Sequence, residues 1–323
     1  MLAPRPLTAA VRALEYMQYA NQADKYIEDI RRLATTFDRL SGPFRKDIGT
    51  DAEKTFDRFS SDHWRRNTYG NALIRLRLFT ENNFHFVETI GLLSVARYIF
   101  ELSVWLRLFE KDSRYCLIYY KELLETQLRY YRDSLAQLRR EIELLKRFDA
   151  LDNPIGGLAS PSAAPTISAA DYGEMVRNAM NRVDAEASRH FSLYLDDAKT
   201  NGYGFQAYLV ETKAIPPSEA AIARIERELL EFVQHVPEDV RGLVKGRWQW
   251  RGMSEEAGIL HEYDYIYSYA SKLLHATPAS LTTDQKNLEI PEVCLFLRYI
   301  YVKMLEIADL AYAKPECEIR PVP

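Results

Sequence analysis

Two charged residues stand one helical turn apart inside the most apolar stretch of the chain. Arg97 and Glu101 lie within residues 87–109, where nearly all of their neighbours are apolar. The sequence therefore predicts that both are at least partly buried, and a buried charge requires a partner because isolation from water costs several kcal/mol. The pair is either a structural ion pair or part of a site, since ionisable groups in apolar surroundings often have shifted pKa values.

A second polar strip lies in residues 261–275. On a helix, Ser271 and His275 share one face because they are four residues apart, and Tyr263 and Tyr267 flank that face. Such a strip can bind an anion or transfer a proton, with His275 as the group that titrates near neutral pH. The alternative is a helix interface in which the hydroxyl groups satisfy one another.

The combined pattern is Arg-x3-Glu on an apolar helix and, far downstream, Tyr-x3-Tyr-x3-Ser-x3-His-Ala. It resembles the bacterial family catalogued as domain of unknown function 5677, over roughly residues 65–312. The matching residues are Arg97, Glu101, Tyr263, Tyr267, Ser271 and His275. The resemblance implies an all-helical fold in which these polar groups meet. It implies no activity, because the family is itself uncharacterised.

Cations alternate with tryptophans between Arg241 and Arg251. Arg247, Trp248 and Arg251 are candidate ligand-binding residues, because Trp and Arg side chains stack on nucleobases and Arg holds phosphates. The alternative is that the tryptophans anchor a loop onto the core. Both interpretations stay open from the sequence alone.

Metal and cofactor sites are not expected. The sequence has no Gly-Lys-Ser/Thr phosphate loop, no His-Glu-x-x-His and no Gly-x-Ser-x-Gly. Its histidines do not pair with Cys or carboxylate residues at metal-ligand spacing. We therefore predict neither a metal ion nor a cofactor.

The charge balance and the cysteines limit the class of protein. A formal net charge of −4 argues against a dedicated nucleic-acid binder, which is usually basic. Three widely spaced cysteines, with no Cys-x-x-Cys pair, indicate a reducing compartment. The stretch 87–109 contains four charges, so we expect no membrane span and a cytoplasmic location.

The elements that position these residues are predicted to be helices. Glycine and proline are scarce, at 13 and 14 of 323 residues, and no strand-like alternation persists. The longest predicted helix covers 112–149 and carries an uninterrupted apolar stripe. At about 1.5 Å per residue it is roughly 55 Å long. It should pair with a second long helix, either in the same chain or in a second copy, and we predict a homo-oligomer through it.

The fold predicted from these elements is all-α, a bundle of long helices with a C-terminal helical part. The expected divisions are residues 1–152, a flexible linker or loop at 153–170, and a C-terminal helical region at 171–323. The linker is uncharged and rich in small residues. Two boundaries rest on proline, which cannot continue a helix: an end at residues 41–43 and a start after residues 216–217.

Two classes of function follow. The first is an intracellular bacterial protein that acts by binding a protein partner or a ligand, in a stress or phage-defence setting. The second is a hydrolase directed at RNA or a nucleotide. In the hydrolase, Arg97 would hold a phosphate, His275 would act as general acid or base, and Glu101 would orient one of them.

Overall fold

The computed structural model describes residues 9–49, 56–83, 89–157, 168–274 and 288–314. These residues contain helices and no strand, so the all-α prediction is confirmed. The longer helices are α1 (Ala9–Gly49), α2 (Ser61–Asn83), α3 (Thr89–Lys111), α4 (Tyr115–Gly157), α5 (Ala169–Ala187), α8 (Ile215–His235) and α13 (Ile290–Tyr312). The short ones are α6 (Leu195–Asn201), α7 (Tyr203–Leu209), α9 (Glu238–Arg241), α10 (Trp250–Glu256), α11 (Leu260–Glu262) and α12 (Ser268–Leu274). Two π-helical segments are π1 (Val210–Ala214) and π2 (Tyr263–Tyr267).

The prediction that the first helix ends at residues 41–43 is wrong. Helix α1 continues through Pro43 to Gly49. Proline inside a helix removes one backbone hydrogen bond and costs about 3 kcal/mol. Leu40 and Phe44 are fully buried on either side of it, so their packing holds the helix together through the proline.

The prediction of a new helix after Pro216 and Pro217 is also wrong. The chain is helical without interruption from Tyr203 to His235, and π1 directly precedes the two prolines. The amide of Ile215 donates to the carbonyl of Val210, five residues back. This wider turn shifts the hydrogen-bond ladder where the prolines cannot donate, so the helix continues across them.

The chain divides into two compact units that differ from the expected domains. The first unit comprises residues 1–120 and 235–323, and the second comprises residues 121–234. Part of the expected linker 153–170 is ordered, because α4 runs to Gly157 and Ser168 caps α5 by accepting a hydrogen bond from the Asp171 amide. Residues 158–167 lie outside the described residues.

The core of the first unit is formed by α1, α2, α3 and α13. Helix α1 packs against α2 and α13, and α3 packs against α13 and α2. The side chains of Phe37, Leu73, Phe100 and Leu297 are fully buried there. By length and composition alone α3 could cross a bilayer, but core helices share that composition, and half of its most apolar window is buried.

The second unit covers the apolar stripe of α4 with helices of the same chain. Leu138, Leu145 and Phe148 of α4 form one core with residues of α5, α6 and α7. Between α4 and the continuous helix formed by π1 and α8, ion pairs join Arg132 to Glu226, Arg139 to Glu219 and Lys146 to Glu211. The cations are seven residues apart, and the residue numbers of their partners fall as those of the cations rise. This is the pattern of an antiparallel helix pair. The C-terminal half of the apolar stripe is thus covered within the chain, and self-association through 112–149 stays a prediction.

Candidate functional site

Four of the predicted site residues meet in the first unit, between α3 and π2. Arg97 and Glu101 lie one turn apart on α3, and Tyr263 and Tyr267 are the first and last residues of π2. Helix α3 contacts both π2 and α12, which brings the two sequence patterns together. Single π turns inside helices are frequent at functional sites. We call these four residues the Arg97 cluster.

The guanidinium of Arg97 is fixed by contacts on several sides. Its Nε donates to Oε1 of Glu101 at 3.0 Å, and its Nη2 donates to the Tyr267 hydroxyl at 3.1 Å. Its Cζ also lies 4.7 Å from the centroid of the Tyr267 ring, within cation–π range. Tyr263 stacks on Tyr267 at 4.9 Å, and the buried Phe100 supports Tyr267 at 5.4 Å.

The Arg97 cluster is half-buried, and this changes its electrostatics. The side chains of Arg97 and Glu101 are 28% and 27% exposed. Burial raises the pKa of the Glu101 carboxyl above its usual range, although the hydrogen bond and charge of Arg97 act in the opposite direction. Burial also raises the pKa of Tyr267, so its hydroxyl stays a hydrogen-bond donor or acceptor at neutral pH. Glu101 is the group in the cluster best suited to take up a proton.

The remaining members of the two predicted patterns differ in what the structure describes. The Oγ of Ser271 is buried and has no hydrogen-bond partner among the described residues. Residue 275 lies outside the described residues, so the meeting of His275 with Arg97 and Glu101 stays a prediction. No group of three His, Cys, Asp or Glu side chains in the described part of the chain is placed to hold a metal ion.

The tryptophans of the basic segment anchor it to α3. Trp248 stacks on Trp105 of α3 with ring centroids 3.8 Å apart, and Trp250 meets Trp248 edge to face. Trp250 lies 6.4 Å from the Tyr267 ring, which places the end of the segment beside the Arg97 cluster. The loop-anchoring alternative therefore describes Trp248 well.

Arg247 and Arg251 of this segment remain available to a ligand. Arg247 is exposed. The Arg251 side chain is 59% exposed, and its Nε lies 3.8 Å from a carboxylate oxygen of Asp264. A contact that long between exposed groups is weak, so Arg251 retains most of its capacity to bind an anion.

An ion network at the residue that precedes π2 was not predicted from the sequence. Lys303 of α13 is almost fully buried, and its Nζ lies 2.6 Å from Glu262 and 2.8 Å from Glu306. The Tyr299 hydroxyl also donates to Glu262 at 2.8 Å. Because Glu262 immediately precedes π2, this network fixes the start of the segment that carries Tyr263. A lysine on the apolar face shared by Ile300, Met304 and Ile307 was the available signal.

The raised pKa of Glu101 predicts how stability depends on pH. The folded state holds this proton more tightly than the unfolded state, so the carboxyl stabilises the fold below its ordinary pKa of 4.5. That contribution is lost as the pH rises through the folded-state pKa. We expect Glu101→Gln to remove it, so the difference in unfolding free energy between variant and wild type should change with pH across this range. Urea unfolding at a series of pH values measures the difference.

A matched control exists in α1. Glu28 forms the same i,i+4 pair with Arg32 at 3.0 Å, but both side chains are more than two-thirds exposed. Glu28→Gln should leave the pH dependence unchanged, because an exposed ion pair contributes little to the free energy of unfolding. A parallel pH profile for wild type and Glu101→Gln would contradict the prediction.

Comparison with known proteins places the chain in no group. The chain matches no protein-family model, no curated protein and no solved structure. The function must therefore be argued from the geometry of the Arg97 cluster.

Proposed function

We propose that the protein acts by binding a ligand that combines a planar ring with an anionic group, at the Arg97 cluster. One observation carries the proposal: the Arg97 guanidinium is held against the Tyr267 ring while 28% of its side chain stays exposed. An arginine fixed in this way loses little conformational entropy when a ligand arrives.

The chemistry of the cluster favours a ligand of the nucleotide class. Arg97 donates N–H groups and Glu101 accepts hydrogen bonds, and the two lie side by side next to stacked tyrosine rings. Such a mixed edge beside aromatic faces suits a nucleobase, which carries donors and acceptors on its rim and stacks on Tyr. The exposed cation of Arg251 would then bind the phosphate.

Binding is favoured over hydrolysis. Both the Nε and the Nη2 of Arg97 already donate to protein acceptors, and Glu101 is paired with Arg97. A hydrolase would also need a group that transfers a proton to the leaving oxygen, and Glu101, the carboxyl that could do so, is engaged by the Arg97 guanidinium instead. In this proposal the protein works in the cytoplasm, where a nucleotide-binding role fits the stress or phage-defence setting expected from the sequence.

Titration calorimetry with adenosine and guanosine monophosphates tests the proposal, with the free nucleosides and inorganic phosphate as separate probes. We expect a nucleotide to bind more tightly than either of its parts. Tyr267→Leu and Arg97→Ala should each weaken binding at least about tenfold, or about 1.4 kcal/mol. Arg97→Lys should restore it only in part, because lysine keeps the charge but not the planar guanidinium.

The control is Arg32→Ala, which removes an exposed arginine from α1. Circular dichroism identifies any variant that fails to fold. Absence of binding by both nucleotides, or equal binding by Arg97→Ala and wild type, would overturn the proposal. Release of nucleoside or free base during the titration would instead favour the hydrolase.

A further inference from the structure

A row of aromatic rings continues from the Arg97 cluster along the basic segment. The ring of Tyr267 lies 6.4 Å from that of Trp250, and Trp250 meets Trp248 edge to face at 5.5 Å. Trp248 in turn stacks on Trp105 of α3 at 3.8 Å. All four residues are half-buried, so part of each is in contact with solvent. We call these four residues the aromatic row.

Exposed cations accompany the aromatic row. Residues 241–251 contain four cations and no acidic residue. Lys245 and Arg247 are exposed, and neither forms an ion pair with another described residue. Among the described residues, the Arg251 guanidinium has only the long contact with Asp264. These three cations are therefore available to an anionic ligand that lies along the row.

We propose that the nucleotide at the Arg97 cluster is one unit of a single-stranded oligonucleotide whose next units lie along the aromatic row. This inference rests on the proposed function, because the first unit occupies the Arg97 cluster. Arg251 then holds a phosphodiester, and the following phosphates meet Arg247 and Lys245. The neighbouring base stacks on Trp250, since the face of an aromatic side chain accepts any base.

Rings combined with cations favour a single strand over other polyanions. A single strand presents both bases and phosphates, so it matches the aromatic row and the exposed cations together. A duplex keeps its bases stacked on one another, and an acidic peptide offers negative charges without bases. Neither of these would use the half-buried rings.

The formal net charge of −4 does not oppose a contact of this size. Exposed charges more than about 8 Å apart are largely screened at physiological ionic strength. A phosphate beside Arg247 is therefore attracted mainly by the cations of residues 241–251. Because the row meets only a few phosphates, the affinity should be modest and should fall with salt concentration.

Titration calorimetry with adenosine monophosphate and with the single-stranded adenylate tetramer tests the inference. We expect the tetramer to bind at least about tenfold more tightly, since it adds stacking and phosphate contacts. The logarithm of its affinity should fall more steeply with the logarithm of the salt concentration, by about 0.7 for each additional phosphate held. The double variant Lys245→Ala with Arg247→Ala should reduce the affinity for the tetramer to about that for the monophosphate.

The control is the double variant Lys25→Ala with Arg32→Ala, which removes the same two charges from exposed positions of α1 and should leave the tighter binding of the tetramer intact. Circular dichroism identifies any variant that fails to fold. A tetramer that binds no more tightly than the monophosphate overturns this inference and leaves the proposed function standing, whereas binding of neither overturns both.

Two further results would also contradict the inference. If the tetramer bound equally to wild type and to Arg97→Ala, the strand would lie elsewhere on the protein. If polyglutamate, or an adenylate–uridylate duplex, bound as tightly as a single strand of the same length, the protein would recognise charge alone and the rings would contribute nothing.

Discussion

Replacing Lys303 with methionine should lower the free energy of unfolding by about 3–5 kcal/mol. The Lys303 side chain is 5% exposed, and its ammonium group pairs with Glu262 and Glu306. Arg107 still pairs with Glu306 in the variant, but Glu262, at 12% exposed, keeps the Tyr299 hydroxyl and, among the described residues, a ring nitrogen of His261 4.0 Å away. A buried carboxylate without its cation accounts for most of the expected loss. The methionine fills a similar volume, so little of the loss reflects a cavity.

Tryptophan fluorescence during urea unfolding measures the loss of stability in the first unit, which contains Lys303. All four tryptophans lie in the first unit, together with Lys303. Because Glu262 precedes π2, the variant should also bind the nucleotide probes less tightly, although Lys303 does not belong to the Arg97 cluster.

The double variant Lys303→Met with Glu262→Gln tests whether the loss of stability comes from the Glu262 carboxylate that is left without a cation. A neutral amide in place of Glu262 no longer needs a cation and can still accept the hydrogen bond from Tyr299. We expect it to recover at least about 1 kcal/mol relative to Lys303→Met alone. A single variant that loses less than about 1 kcal/mol would show that the pair contributes little, as exposed pairs do.

Helix content and the ion pair within α3 were predictable from the sequence, because they depend on local patterns. The three- and four-residue spacing of apolar residues in 112–149 predicted α4 correctly. The apolar setting of Arg97 and Glu101 predicted a half-buried ion pair, and the structure has it at 3.0 Å. In each case the neighbours in sequence determine what the side chain can contact.

Features that depend on distant residues were not predictable in the same way. Pro43 and Pro217 look like helix boundaries, but buried neighbours and a π turn carry the helices through them. The partner of α4 is α8, about 90 residues further along the chain, and only the ion pairs reveal it. The same holds at the site, because the residues near Lys303 in the sequence do not indicate that its partner is Glu262.

Replacing Glu141 with leucine should destabilise the second unit by about 3 kcal/mol. This carboxylate is 1% exposed and has no cation among its described contacts. It accepts hydrogen bonds from the Gln137 amide at 2.7 Å, the Ser192 hydroxyl at 2.5 Å and the Leu193 backbone N–H at 3.2 Å. These bonds attach the segment between α5 and α6 to α4, and leucine would remove all three of them.

Hydrogen exchange is the appropriate measurement, because the second unit contains no tryptophan. In Glu141→Leu the amide of Leu193 should exchange much faster than in wild type, and protection of the α4 amides around it should fall. Glu141→Gln should lie between the two, since an amide retains one accepting oxygen. The exposed neighbour Glu143 provides the control, and Glu143→Leu should change stability by no more than about 0.5 kcal/mol. If the Leu193 amide exchanged equally in both leucine variants, Glu141 would not be what holds the segment to α4.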